Sequence, residues 1–164
     1  MFSDDLLDDV RRLIDVMRTR SLKLATAESC TGGLLGGLFT EIPGASDVFE
    51  RGFVTYSNAA KVGDLGVDLE LLMRHGAVSA EVARAMASGA LRGSAADVAI
   101  AVTGVAGPGG GSQTKPVGLV HVGLAMRGKP VAHEEFRFGD RSRSAIRIET
   151  VKAALRMLHG ALEV

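Results

Sequence analysis

Apolar and polar positions alternate along this chain with two different periods. Leu6, Val10, Leu13, Ile14 and Met17 fall three and four residues apart, the spacing of a helix that buries one face. Ser3 stands in front of them as an N-cap, and Asp4 and Asp5 suit the positive end of the helix dipole. The run 22–27, LKLATA, reads as a short strand, and Thr31 to about Thr40 as a helix that tolerates glycine, broken by Pro43-Gly44. The aromatic and β-branched stretch 51–57, RGFVTYS, predicts a strand. Asn58 is placed to cap a short helix, Asp68 a second, and Ser79 opens an alanine-rich amphipathic helix to about Leu91.

The run 97–104, DVAIAVTG, is apolar at nearly every position, the signature of a strand covered on both faces. A glycine-rich loop follows over 104–116. The segments 117–126 and 131–138 then flank Arg127-Gly128-Lys129 as the arms of a hairpin. A final helix starts at Ser142 or Ser144, sets Ile148, Val151, Leu155 and Leu158 on one face, and ends at Gly160. The condensed order α-β-α-β-α-α-β-β-β-α predicts an α/β fold: a three-layer α/β/α sandwich on a mixed, mostly parallel sheet. Residues 1–164 show no repeat, linker or low-complexity tail, and read as a single domain.

Composition narrows the function classes. Lysine plus arginine and aspartate plus glutamate number 19 each, so the chain lacks the cationic excess of a dedicated nucleic-acid binder. One cysteine rules out an intrachain disulfide, and four scattered histidines fall in no familiar metal spacing. No apolar run reaches the length of a membrane span. The acidic start, MFSDDLLDDVRRL, lacks the basic end and apolar centre of a signal peptide, so a cytoplasmic domain without membrane contact is expected.

The candidate chemistry lies where glycines cluster. In Glu28-Ser29-Cys30-Thr31-Gly32-Gly33 a strand turns toward a helix, and the first helical amides there can hold a phosphate or an oxyanion. The same turn is also explained by Ser29 or Thr31 acting only as an N-cap. Cys30 is the rival nucleophile, but a thiolate needs a cationic neighbour, and no histidine falls on such a turn; packing is the favoured role. A serine needs a base as well. Tyr56 and Lys61, five residues apart, offer a proton relay and a lysine that becomes a base once its pKa is lowered. The loop after Thr103 permits close backbone approach to a nucleotide, with Gly104 and Gly107 as candidate contacts. It lacks the G-K-[ST] ending of a P-loop and a following helix for a dinucleotide fingerprint. G-x-S-x-G is absent as well. Asp140, Arg141, Arg143 and Arg147 surround the start of the last helix, and arginine forks suit phosphate or carboxylate.

Together TAESCTGG, ERGFVTYSNAAK, GAVS and AVTGVAGPGGGSQTKPVGLV stand in the order found in the C-terminal domain family of competence/damage-inducible protein CinA, which the chain resembles over nearly its whole length. Stand-alone members of that family are nicotinamide-nucleotide amidohydrolases. The resemblance implies a sandwich with one strand antiparallel to the rest, and hydrolysis of the carboxamide of nicotinamide mononucleotide (NMN) to nicotinate mononucleotide and ammonia. Neither metal nor organic cofactor is implied. It places the nucleophile on Ser29, helper residues on Tyr56 and Lys61, a substrate contact on Thr103, and an arginine in the Gly-Asp-Arg segment. The spacing from Gly139-Asp140-Arg141 to Arg147 exceeds the family pattern, and Arg141 is placed ahead of Arg147. The amides of Cys30, Thr31, Gly32 and Gly33 are candidates for the oxyanion hole, and Arg141 or the glycine loop for the phosphate. The rival readings are a non-catalytic nucleotide-binding module and an amidase for a related amide. A homodimer is expected from base rates.

Overall fold

A central strand apolar on both faces needs helices on both sides, and the structure supplies them. The computed structural model describes residues 2–164. Its elements run α1 Asp4–Thr19, β1 Leu24–Glu28, α2 Leu34–Thr40, a short 3-10 turn Ala45–Asp47, β2 Phe49–Val54, α3 Asn58–Leu65, α4 Leu69–His75, α5 Ala80–Arg92, β3 Val98–Gly104, β4 Leu119–Met126, β5 Ala132–Arg137 and α6 Arg143–Leu162. The five strands form one sheet in the order β2-β1-β3-β4-β5. β1 pairs parallel with β2 and β3, whereas β4 is antiparallel to both β3 and β5. β4 alone opposes the others, as the mixed, mostly parallel reading requires.

Strand alternation sorts the side chains into two cores. Leu24 of β1 and Val98, Ile100 and Val102 of β3 pack under α1, α2 and α6. Ala25 and Ala27, with Ala99 and Ala101, face α3, α4 and α5. The second face is built from small residues because α5 lies close to the sheet. A Cβ on Gly123 of β4 would strike the Ala83 carbonyl, and one on Gly89 would strike that of Leu65. No helix is long and apolar enough to cross a membrane among the described residues.

Several boundaries differ from the sequence expectation. α2 starts at Leu34 rather than Thr31, because Gly32 and Gly33 take positive φ values of 59° and 94° and turn the chain first. Ser57, not Asn58, caps α3, its hydroxyl accepting from the Ala60 amide at 3.0 Å. Ser142 caps α6 likewise, yet α6 runs through Gly160 to Leu162. Three helices stand between β2 and β3 where the condensed order counts two. A glycine inside a packed helix costs only about 1 kcal/mol relative to alanine, too little to end one that buries Met157, Leu158 and Leu162.

Candidate active site

β1 sits between the two strands it pairs with, so the chain leaves it toward β2 and returns past it to β3. In open α/β sheets the crevice at the carboxyl ends of such strands is where ligands bind. Ser29 follows β1 immediately, and by strand parity it shares the face of Ala25 and Ala27. Thr103 shares the face of Ala99 and Ala101 in the same way. Both point toward α3, which brings Lys61.

Lys61 is 1% exposed, and its Nζ lies 3.0 Å from Ser29 Oγ and 2.7 Å from the Thr55 carbonyl, to which it donates. Burial lowers its pKa from the ordinary 10.5, opposed by the negative charge that an ionised Cys30 would supply. Nζ donates to Ser29 Oγ as well in this geometry; in the neutral form of the amine the same contact reverses, the hydroxyl donating to the nitrogen. No carboxylate pairs with it among the described residues. Cys30 has its side chain in the opposite core, and burial pushes its thiol up to about 12, so it stays protonated at neutral pH.

Around this pair is a cavity of about 230 Å³ that Cys30, Tyr56, Thr103 and Gly104 also line. Sequence reasoning had not assigned Asn58, Ala77, Val78, Ala106 or Arg143 to it, although all five join the lining. Asn58 lies inside the TYSNAAK motif, and Arg143 inside the arginine cluster ahead of α6, so both carried a signal. Thr103 Oγ1 donates to the Ala77 carbonyl at 2.8 Å, leaving its oxygen lone pairs toward the cavity. None of the four histidines lines it.

The structure places the remaining candidates as follows. Tyr56 is 59% exposed at the cavity edge, and its hydroxyl accepts from Arg143 at 2.6 Å rather than bonding Lys61. Arg141 is exposed and does not line the cavity; Arg143 does, its second Nη atom donating to the Gly107 carbonyl at 2.8 Å. Arg147 donates to the Thr31 carbonyl at 2.6 Å and supports the turn after β1 from outside the cavity. Of the four candidate oxyanion amides, two are occupied: Gly32 donates to the Ser29 carbonyl and Gly33 to Glu28. The amides of Cys30 and Thr31 have no acceptor among the described residues.

The glycine loop divides. Gly104 reaches the cavity and Gly107 approaches it through its carbonyl. Residues 108–113 line a separate groove of about 660 Å³ with Arg137 and Asp140, which shares no lining residue with the first. Arg143 thus faces the Ser29 cavity with no carboxylate in the lining. Such a site favours an anionic ligand. Among the described residues no cluster of three or more His, Cys, Asp or Glu has the geometry to hold a metal ion.

Known proteins match this chain from end to end. The sequence profile of the CinA C-terminal domain covers residues 8–162. A putative competence-damage inducible protein of Caldicellulosiruptor bescii is 54% identical over 154 residues, 93% of this chain and 36% of that protein. The chain spans only about a third of the length of such relatives; in a Moorella thermoacetica protein of the same description it covers 37%. The crystal structure of the competence/damage inducible protein CihA from Agrobacterium tumefaciens superposes with a TM-score of 0.96 at 52% identity, covering 100% of this chain and 99% of that one. A CinA superfamily protein from Klebsiella pneumoniae follows at 0.91 and 33%, covering 96% of this chain and 98% of its own. With its fold, its motif order and its profile in agreement, the chain belongs to the CinA C-terminal domain family.

Proposed function

We propose that this domain is an amidohydrolase that converts NMN to nicotinate mononucleotide and ammonia, with Ser29 as nucleophile and Lys61 as base. The observation that carries the reading is the 3.0 Å pairing of Ser29 Oγ with a buried lysine that has no acidic partner. Burial disfavours the ammonium form, which is the shift a lysine base requires. Ser29 attacks the carboxamide carbon, and its proton passes to Lys61 Nζ. The Cys30 amide, with that of Thr31 beside it, receives the developing oxyanion. Lys61 returns the proton to the amide nitrogen and ammonia leaves, giving a nicotinoyl ester on Ser29. Water, deprotonated by the same lysine, hydrolyses the ester and restores the serine hydroxyl.

Tyr56 and Arg143 act at the rim rather than on the base. Arg143 meets the substrate phosphate in the role first placed on Arg141, and the small cavity beneath it suits an aromatic amide. Thr103 offers its hydroxyl oxygen to the carboxamide N–H. The residues use neither a metal nor an organic cofactor for any step. Incubation with NMN should release ammonia in stoichiometric amount with nicotinate mononucleotide. A folded protein that binds NMN without releasing ammonia would instead be a nucleotide-binding module, and turnover of simple amides at equal efficiency would remove the nucleotide from the reading.

A further inference from the structure

Glu28 precedes the nucleophile, and no step above uses it. It is the only buried acid among the described residues, at 1% exposure. Strand alternation sends its side chain to the face opposite Ser29. There Oε2 accepts from Thr31 Oγ1 at 2.6 Å, from the Gly33 amide at 3.1 Å and from the Leu35 amide at 3.0 Å, while Oε1 accepts from the Gly36 amide at 2.8 Å. No cation pairs with it among the described residues. A neutral serine or threonine ordinarily caps a helix start, at far smaller desolvation cost than a buried carboxylate.

We propose that Glu28 is a positioning residue for the Ser29 reaction: it locks the turn by taking up the Thr31 hydroxyl and the amides of Gly33, Leu35 and Gly36. This rests on the amidase reading for its kinetic half. The hydrogen bonds leave Cys30 and Thr31 as the amides of the turn free to meet an oxyanion. Four donors converging on one carboxylate over-determine the turn, so Ser29 holds one orientation toward Lys61 without help from substrate. Burial is the main reason that Cys30 keeps its proton, and the Glu28 charge adds to it in the same direction. Gly36 belongs to this arrangement, because a Cβ there would lie 3.4 Å from Glu28 Oε1 and 3.3 Å from the Phe49 ring.

The test is Glu28→Gln, which keeps the shape, removes the charge and sets an NH2 group against backbone donors. Expected is a fall in kcat of about 30-fold or more, the order of a misplaced oxyanion donor, with KM within about threefold. Cys30 is the single cysteine, and its alkylation by iodoacetamide at mildly alkaline pH should quicken by about tenfold in the folded variant, because the removed charge opposed thiolate formation. A purely structural role would lower the melting temperature and leave both numbers at the wild-type value for the folded fraction; that result overturns the proposal. Should Glu28→Gln fail to fold, Thr31→Val removes one donor only and is expected to lower kcat about fivefold at constant KM, unchanged kcat again overturning it. If the wild type releases no ammonia from NMN, the amidase reading falls, while the alkylation comparison still decides what Glu28 does.

Discussion

Two glycine-rich segments, one at the Ser29 cavity and one at the neighbouring groove, are built in opposite ways. The nucleophile turn, Ser29 to Gly33, is held from behind by a buried carboxylate with four donors and by the Arg147 guanidinium on its Thr31 carbonyl. The loop from Pro108 to Thr114 is exposed throughout. Its anchors lie at its ends: Arg143 on the Gly107 carbonyl, and Lys115 bonded to the carbonyl of His75. Glycine serves a different purpose in each. In the turn it reverses the chain at positive φ so that Glu28 can reach the amides of α2; in the loop it leaves backbone open to a ligand. On the proposed amidase reading, the reacting serine stands on the over-determined segment, as pre-organised catalysis requires.

The largest expected effect breaks the turn's chemistry without touching its scaffold. Ser29→Ala should lower kcat/KM for NMN by a thousandfold or more, on the order of a lost nucleophile. Cys30→Ser should stay within about threefold in kcat, at about 1–2 kcal/mol of stability for a hydroxyl placed in an apolar core. A dead but folded Cys30→Ser enzyme would move the nucleophile to sulfur.

Next in size is the base. Lys61→Met should remove at least a hundredfold of kcat while product still binds, the usual worth of acid–base catalysis. Lys61→Arg should fail similarly, since a guanidinium does not surrender its proton. In the wild type, kcat/KM should rise with pH through an inflection below 10.5, because burial lowers the lysine pKa and the neutral form is the active one. The same sign governs stability. A lysine with a lowered folded pKa imposes a penalty below that pKa, relieved as pH climbs toward the unfolded value. Near-normal neutral rates in Lys61→Arg would reduce Lys61 to a fixed charge.

A smaller effect should sharpen the division of labour at the rim. Arg143→Met is expected to raise KM for NMN about 10- to 100-fold with kcat little changed, one lost charge-assisted contact. KM for the phosphate-free riboside should not move. Equal losses on both substrates would make Arg143 a brace for Tyr56 and Gly107 and nothing more. Least in kinetic size is Gly107→Val. Its φ of 72° disfavours any side chain, and a Cβ would come within 2.7 Å of Val117. KM should rise a few-fold, with about 1–3 kcal/mol of stability lost to strain. An unchanged KM in a folded variant would reduce the loop to a connection.

How much of this was legible in sequence depends on the distance over which each contact acts. The strand at 98–104 could be read from its own apolar run, and the hairpin from Arg127-Gly128-Lys129, because hydrophobic period and turn chemistry are local. α2 was placed too early because the competing signals, a serine and a threonine beside a glycine pair, both look like caps. What decided the start was a glutamate side chain reaching forward from the preceding strand. Gly160 was read as a stop because propensity is local, whereas burial of α6 against β3 and β4 is not.

The residues Ser29, Tyr56, Lys61 and Thr103 were singled out by type and motif, and strand parity alone sets Ser29 and Thr103 on one face once the strands are known. Their partners were not legible. Lys61 stands 32 positions from Ser29, and Arg143 stands 87 from Tyr56; no local rule chooses among nineteen basic residues at such separations. The sequence by itself determined the layers, the face that carries Ser29, and the absence of a histidine on the Ser29-Cys30 turn, all consequences of period and residue type. Only the tertiary structure decided that Arg143 rather than Arg141 meets the cavity, that Tyr56 serves the rim, and that Glu28 occupies the Gly33 amide. Those outcomes turn on side-chain reach across elements, where differences of an ångström separate a hydrogen bond from none.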